Sequence, residues 1–122
     1  MVSSRTDWEQ IAWLYRYAAG GRGLFGLTAQ AMMDILPRVR ETPAVADVLV
    51  TTSDLALTFR ANDGDDAAEP VILHWHSPGR YAIYIGKTEP PYYDDMQMVL
   101  PDEVEVALTE YLNRLATGAF VD

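Results

Sequence analysis

Two histidines, the only ones in the chain, are spaced so that they could act together. His74 and His76 are separated by one residue, so on a β-strand both side chains would project from the same face. Two imidazoles can ligate zinc or non-haem iron, which need at least one further ligand. Because the chain has no cysteine, that ligand would be a carboxylate such as Asp94 or Asp95. A small metal-dependent enzyme is therefore one interpretation.

The other catalytic patterns lack the context that their chemistry requires. Gly21-Arg22-Gly23-Leu24-Phe25-Gly26 matches G-x-G-x-x-G, but a predicted amphipathic helix precedes it, whereas a dinucleotide site needs a strand there. We interpret this segment as a helix-to-helix turn. Ser53 and Ser77 lie in predicted turns without a nucleophile-elbow sequence. We therefore expect no enzyme activity, and no metal or other cofactor, with His74 and His76 on a partly exposed strand face.

The charge balance limits the classes of partner. Eighteen acidic and nine basic residues give a net charge of −9 and a pI near 4.5. Such a chain repels nucleic acid phosphates and anionic lipids and attracts basic surfaces. The 122 residues, 49% of them hydrophobic, suit one domain over 1–122, and no stretch has the length of a membrane span or signal core. We expect a cytoplasmic protein that binds a basic protein, and neither nucleic acid nor membrane.

One segment combines acidic and aromatic residues in the manner of a recognition surface. Glu89 is followed by two prolines and then by Tyr92, Tyr93, Asp94 and Asp95. The prolines oppose strand pairing, so residues 89–95 are predicted to form an exposed loop. Tyrosine is large and has few rotamers, which makes it an effective interface anchor, and the carboxylates would attract a basic partner. The alternative is that both tyrosines fold back onto the sheet.

The predicted structure is organised around a β-hairpin at 71–85. Pro78 and Gly79 suit a tight turn between two arms rich in β-branched and aromatic residues. A four-residue turn at 77–80 would place His76 opposite Tyr81 and His74 opposite Ile83. Both faces of this pair are largely apolar, so we expect the hairpin to be central in its sheet.

The remaining elements follow from apolar periodicity and from turn and capping residues. The predicted helices are 7–19, capped by Thr6 with Glu9 and ended by left-handed Gly20-Gly21; 28–36, capped by Thr28 and ended before Pro37; and 103–116, capped by Asp102 with Glu105. The predicted strands outside the central hairpin are 48–51, 55–60 and a short one at 96–100. This order predicts an α+β fold with two N-terminal helices, an antiparallel meander of four to five strands, and a C-terminal helix packed on the sheet.

A small, acidic, cysteine-free α+β domain with the aromatic strand at 81–85, the Pro-Tyr-Tyr-Asp-Asp segment and a closing helix at 103–116 resembles the immunity proteins of bacterial polymorphic toxin systems. Those proteins bind and neutralise a cognate toxin domain, often a basic nuclease. The resemblance implies a non-enzymatic inhibitor that covers a basic toxin, and it carries no functional residue across. The remaining alternative is a structural homodimer or larger homo-oligomer whose surplus aromatic residues form the self-interface.

Overall fold

Residues 6–61, 69–87 and 93–117 are described by a computed structural model, in which helices pack on one face of a five-stranded antiparallel sheet. The elements are α1 Trp8–Ala19, α2 Gly23–Glu41, a 3₁₀ helix Pro43–Asp47, β1 Val48–Ser53, β2 Ala56–Ala61, β3 Val71–Ser77, β4 Arg80–Gly86, β5 Tyr93–Val99, a second 3₁₀ helix Pro101–Glu103 and α3 Val104–Thr117. The predicted α+β class, the two N-terminal helices and the C-terminal helix are confirmed.

The sheet is a meander in the order β1-β2-β3-β4-β5. Alternate residues of each strand point toward α2 and α3, and their side chains form the core together with apolar stripes of the helices. The inward set on the four strands β1 to β4 is Val48, Val50, Leu57, Phe59, Val71, Leu73, Tyr81, Ile83 and Ile85. The β3–β4 hairpin lies inside the sheet and not at its edge, as its two apolar faces predict.

The register predicted for this hairpin is wrong by one residue. Trp75, and not His76, pairs with Tyr81, because a bulge between Trp75 and Ser77 places one extra residue on β3. A one-residue shift moves every side chain of a strand to the other face relative to its partners. His74 therefore pairs with Ala82 and lies on the face opposite to Tyr81. The predicted turn is confirmed around Gly79, whose φ of +77° is the left-handed value that glycine adopts most readily.

Helix α1 begins and ends nearly where its sequence pattern predicts, but with different end contacts. Asp7 is the N-cap, since its carboxylate accepts a hydrogen bond from the Gln10 amide at 3.0 Å. The predicted cap, Thr6, bonds to strand β1 instead. The predicted left-handed end is also wrong, because Gly20 has an ordinary helical φ of −76°.

Helix α2 is much longer than predicted. It begins at Gly23, where φ is +66°, and the predicted cap Thr28 lies inside it, donating its hydroxyl to the Leu24 carbonyl at 2.7 Å. Pro37 does not end the helix. A proline removes one backbone donor, whereas Val39, beyond it, is fully buried, so packing carries the helix through. Only Gly20 to Arg22 connect the two helices, so the prediction of a turn over 21–26 is wrong for Gly23 to Gly26, which form the first turn of α2.

In the first hairpin β1 is two residues longer than predicted, β2 is shifted by one residue, and the turn has two residues. Asp54 and Leu55 both have positive φ, 50° and 69°, which is the combination a type I′ turn requires. The buried Tyr15 hydroxyl donates to the Leu55 carbonyl at 3.0 Å, and this contact ties α1 to the turn. Burial raises the pKa of Tyr15 far above its ordinary value, so its phenol stays protonated and can donate.

The predicted capping contact of α3 is replaced by another. The Glu103 carboxylate accepts from the Leu100 amide at 2.8 Å, so Glu103 reaches back and Asp102 does not cap. Asp102 instead pairs with Arg38 of α2 at 3.0 Å. The apolar stripe of α3 is buried as predicted, at Val104, Leu108, Tyr111 and Leu112. No helix in the described ranges is both long and apolar enough to cross a membrane.

Candidate partner-binding surface

The sheet has an outer face, which we define as the face opposite to α2 and α3. Within 6–61, 69–87 and 93–117 no helix or strand packs on it. An open concavity of about 550 Å³ lies over β1 to β4; Thr28 of α2 and the inward-facing Trp75 also line it, so it is not confined to the outer face. Its lining includes Thr51, Thr58, Ile72, His74 and Tyr84. The outer face is therefore a partly apolar, partly hydroxylated surface that is available for contact.

An aromatic row crosses the outer face from β3 to β5. The rings of His74 and Tyr84 meet edge to face at 5.6 Å, and those of Tyr84 and Tyr93 do so at 5.8 Å. Such T-shaped pairs hold ring orientations in place. Burial raises the pKa of Tyr84, so its phenol is neutral near pH 7. Tyr93 ends the row and remains 53% exposed, so it rests against the sheet with about half of its surface open.

Two methionines of β5 extend the apolar part of this surface. Met98 pairs with Ala82, which pairs with His74, so Met98 lies beside the aromatic row. The side chains of Met96 and Met98 are 36% and 45% exposed. Methionine is flexible and polarisable and adapts to irregular partner surfaces. Because both residues stand on an edge strand next to Tyr93, they form with it one exposed apolar strip.

The predicted site residues are only partly where the sequence placed them. Tyr93, Asp94 and Asp95 belong to strand β5, so the prediction of a loop over 89–95 is wrong for these three. Glu89 and Tyr92 lie outside the described residues. The strand begins early because Tyr93 pairs with Gly86 and Asp94 with Ile85 across a bulge. Backbone pairing with β4 thus overrides the low strand preference of aspartate.

Asp95 is engaged in contacts with α3 at the protein surface. Its φ of 54° places it at the β5 bulge, where its carbonyl accepts the Tyr111 hydroxyl and its carboxylate pairs with Arg114. Both partners belong to α3, so this carboxylate faces the helices and not the outer face. Burial, with the Asp95 charge as a second cause, raises the pKa of Tyr111 to about 12. The Tyr111 phenol therefore remains a hydrogen-bond donor at every physiological pH.

Asp94 is the more exposed of the two carboxylates at this edge, and its pairing with the inward-facing Ile85 places it on the helix side of β5, as Asp95 is. Its side chain is 63% exposed and lies 3.8 Å from the Lys87 ammonium. Lys87 makes a closer pair, at 3.1 Å, with Glu69. The Asp95 and Arg114 charges cancel, so the described charges at this edge, Glu69, Lys87 and Asp94, sum to −1. The edge is acidic, although less so than the sequence suggested.

The geometry gives little support to a metal site at the histidines. The Nδ1 atom of His74 lies 2.8 Å from the Trp75 carbonyl, to which it donates, and this leaves one nitrogen as a ligand. Nδ1 of His76, in the bulge, contacts the Ser77 hydroxyl at 3.3 Å. Asp95, one proposed third ligand, faces α3. Across the described chain, no three His, Cys, Asp or Glu side chains come close enough to hold a metal ion.

Two components of this surface, Tyr84 and Met98, were not predicted from the sequence. Each is adjacent in sequence to a buried residue of its strand, so the strand register was needed to place both side chains on the outer face. Comparisons of the chain with models of known protein families, with curated proteins and with solved structures found no match.

Proposed function

We propose that this chain is a non-enzymatic inhibitor that covers a basic protein partner, in the manner of the immunity proteins that it resembles. The observation that carries the proposal is the strip of Tyr93, Met96 and Met98, exposed on an uncovered sheet face beside the acidic edge. Exposed aromatic and methionine side chains are typical of interface centres, and carboxylates at the margin suit a basic partner.

The strip supplies an anchor whose position is already fixed. Tyr93 is held edge to face by Tyr84, so little ring freedom would be lost on binding. A tyrosine that becomes buried at the centre of an interface contributes about 2 kcal/mol or more. The methionines beside it can adjust to the partner's contours. Asp94 would act before contact, by attracting the basic surface.

The overall charge of the chain also favours a basic partner. The net charge of −9 gives the chain a long-range attraction for a basic protein, including a nuclease domain that itself binds phosphates. Inhibition by covering an active site requires affinity and shape and no reacting group. This agrees with a surface on which His74 is hydrogen-bonded to its own strand, and with an Asp95 carboxylate that is paired with Arg114 on the helix side.

The proposal is tested with the products of the two genes that adjoin the gene for this chain. Each product is expressed alone in a bacterial host, and we expect one of them to arrest growth and co-expression of this chain to restore it. The purified pair should then form a complex, and Tyr93→Ala combined with Met98→Ala should raise its dissociation rate at least tenfold, because about 2 kcal/mol of anchor is removed.

Tyr17→Ala is the matched control. Tyr17 is an exposed aromatic residue on α1, away from the sheet, and its removal should leave the complex unchanged. The proposal fails if neither adjoining product arrests growth, or if the double variant binds with wild-type kinetics. Self-association of the chain that Tyr93→Ala abolishes would instead identify the strip as a homodimer interface.

A further inference from the structure

The connection between α1 and α2 exposes an unusual density of large apolar side chains. We call residues 13–27 the hairpin tip. In the described residues ten large hydrophobic side chains are exposed, and five of them lie here. Each of the five is more than half exposed; they are Trp13, Tyr17, Leu24, Phe25 and Leu27. Because scattered exposed apolar residues are normal but clusters are not, the hairpin tip is a candidate contact surface.

The hairpin tip also differs in charge from the rest of the chain. No acidic residue occurs between Glu9 and Asp34, although the chain has eighteen, and both basic residues of this stretch, Arg16 and Arg22, lie in the tip. In the part of the chain that the structure describes, neither guanidinium has a carboxylate within 4.0 Å. Residues 13–27 therefore carry two positive charges and no negative one, although on its side away from the turn Arg16 also lines grooves with Asp7, Glu9 and Glu41.

The backbone of the hairpin tip is fixed, so these side chains are held outward. A Cβ on Gly26 would lie 2.3 Å from the Gly21 carbonyl oxygen, so the start of α2 packs directly on the turn. Gly23 supplies the positive φ with which α2 begins. On α1, the rings of Trp13 and Tyr17 stack at 5.4 Å. The exposed groups thus belong to the second half of α1 and the first turns of α2, which the Gly21–Gly26 approach holds together.

We propose that the hairpin tip inserts into the interfacial region of an anionic lipid bilayer. Tryptophan and tyrosine are favoured at the headgroup level, where an apolar ring and a polar atom are both accommodated. Leu24 and Phe25 would enter the acyl boundary, and Arg16 and Arg22 would contact lipid phosphates. The net charge of −9 predicts repulsion from such a surface, but screening limits that repulsion to about 10 Å, so the charge nearest the bilayer decides.

A bilayer fits this chemistry better than a protein occupant does. In a symmetric contact between two copies, the Arg16 and Arg22 side chains of both would be brought together, which is unfavourable. The basic partner proposed for the outer face has the wrong sign of charge for the tip. Anionic headgroups supply the opposite charge, and acyl chains supply an apolar medium that needs no matching shape.

The test is co-sedimentation of the full chain with two kinds of vesicle, one of phosphatidylcholine alone and one of mixed phosphatidylcholine and phosphatidylglycerol. We expect binding to the mixed vesicles that weakens at high salt. Leu24→Ser combined with Phe25→Ser should lower the partition coefficient at least tenfold. Each replacement removes an apolar side chain whose transfer from water into the acyl boundary strengthens insertion by about that factor. Arg16→Gln combined with Arg22→Gln should remove the preference for phosphatidylglycerol.

Val106→Ser is the matched control. Val106 is an exposed apolar residue on α3, so its replacement should not change vesicle binding. Thermal melting of each variant checks folding, and we expect it to be preserved because the altered residues are outside the core. The proposal is overturned if the wild-type chain does not sediment with mixed vesicles, or if the Leu24 and Phe25 variant binds as well as wild type. Dimerisation abolished by that variant, without vesicle binding, would assign the tip to a second copy.

Discussion

Each of the two edge strands of the sheet is bound by side chains from outside the sheet, but the contacts differ. Along the edge of β1 that faces away from β2, the Thr6 hydroxyl accepts from the Val50 amide at 2.9 Å and donates to the Val48 carbonyl at 3.4 Å. A single side chain thus does part of what a neighbouring strand would do. On β5, two side chains of α3 instead hold the bulge at Asp95.

The difference shows how one edge can be closed while the other stays available. An unprotected edge strand invites pairing with another chain. At β1 the Val48 carbonyl and the Val50 amide are satisfied by the Thr6 hydroxyl. At β5 the bulge interrupts the regular edge, and acidic residues line it, but Tyr93, Met96 and Met98 remain in contact with solvent. The β5 edge therefore resists indiscriminate strand pairing and can still bind through its side chains.

Removal of the α3 contact at β5 is expected to have the largest effect. Tyr111→Phe deletes the hydroxyl that the Asp95 carbonyl accepts, and loss of such a bond lowers the free energy of unfolding by about 1 to 2 kcal/mol. The pH dependence should change as well. The folded-state pKa of Tyr111, about 12, exceeds the ordinary 10.0, so its contribution is complete below pH 10 and is lost as the pH rises toward 12.

Denaturant unfolding at pH 7 and at several alkaline pH values measures both effects. Tyr111→Phe should therefore lose less stability than wild type between pH 10 and 12. Tyr93→Phe is the control, because Tyr93 is exposed and touches Tyr84 with its ring. An unchanged free energy of unfolding for Tyr111→Phe would contradict the role assigned to the hydroxyl in holding the bulge.

The edges also mark where sequence patterns stop being informative. The helical character of α3 and the strand character of β1 to β4 depend on residues close together in the chain, and these elements were predicted. The bulge at Asp95 depends on Tyr111 and Arg114, sixteen and nineteen residues away. Because the bulge decides which carboxylate pairs with Arg114, the sequence could not separate Asp94 from Asp95. It placed both in one acidic loop.

Two further errors have similar origins. The bulge at His76 shifts the β3–β4 register by one residue, so the predicted opposition of the histidines to Tyr81 and Ile83 does not occur. Thr6 is a good capping residue in isolation, but Asp7 caps α1 and Thr6 contacts a strand more than forty residues away. In both cases a local preference was overridden by a contact between elements. No feature of the local sequence explains the His76 bulge.

Opening the β1 edge should have a smaller effect on stability than Tyr111→Phe. Thr6→Val keeps the size of the side chain and removes both hydrogen bonds to β1, which should lower the free energy of unfolding by about 1 kcal/mol. The exposed edge should also increase self-association, as measured by sedimentation velocity. Thr109→Val is the control, because that hydroxyl bonds within α3. If Thr6→Val remains as stable and as monodisperse as this control, Thr6 does not protect the edge.

The smallest expected effect separates two neighbouring carboxylates of β5. Asp95→Asn removes the charge that pairs with Arg114 on the α3 side, and since both side chains are partly exposed we expect a loss of less than about 1 kcal/mol in unfolding free energy. Asp94→Asn should leave stability unchanged, because Asp94 is mostly exposed and 3.8 Å from Lys87. The order should reverse in binding. With the partner from the adjoining gene, Asp94→Asn should slow association, most strongly at low salt, whereas Asp95→Asn should change it little, since Arg114 already neutralises that charge. If both variants slow association equally, pairing with Arg114 does not mask the Asp95 charge, and the two carboxylates act as one patch.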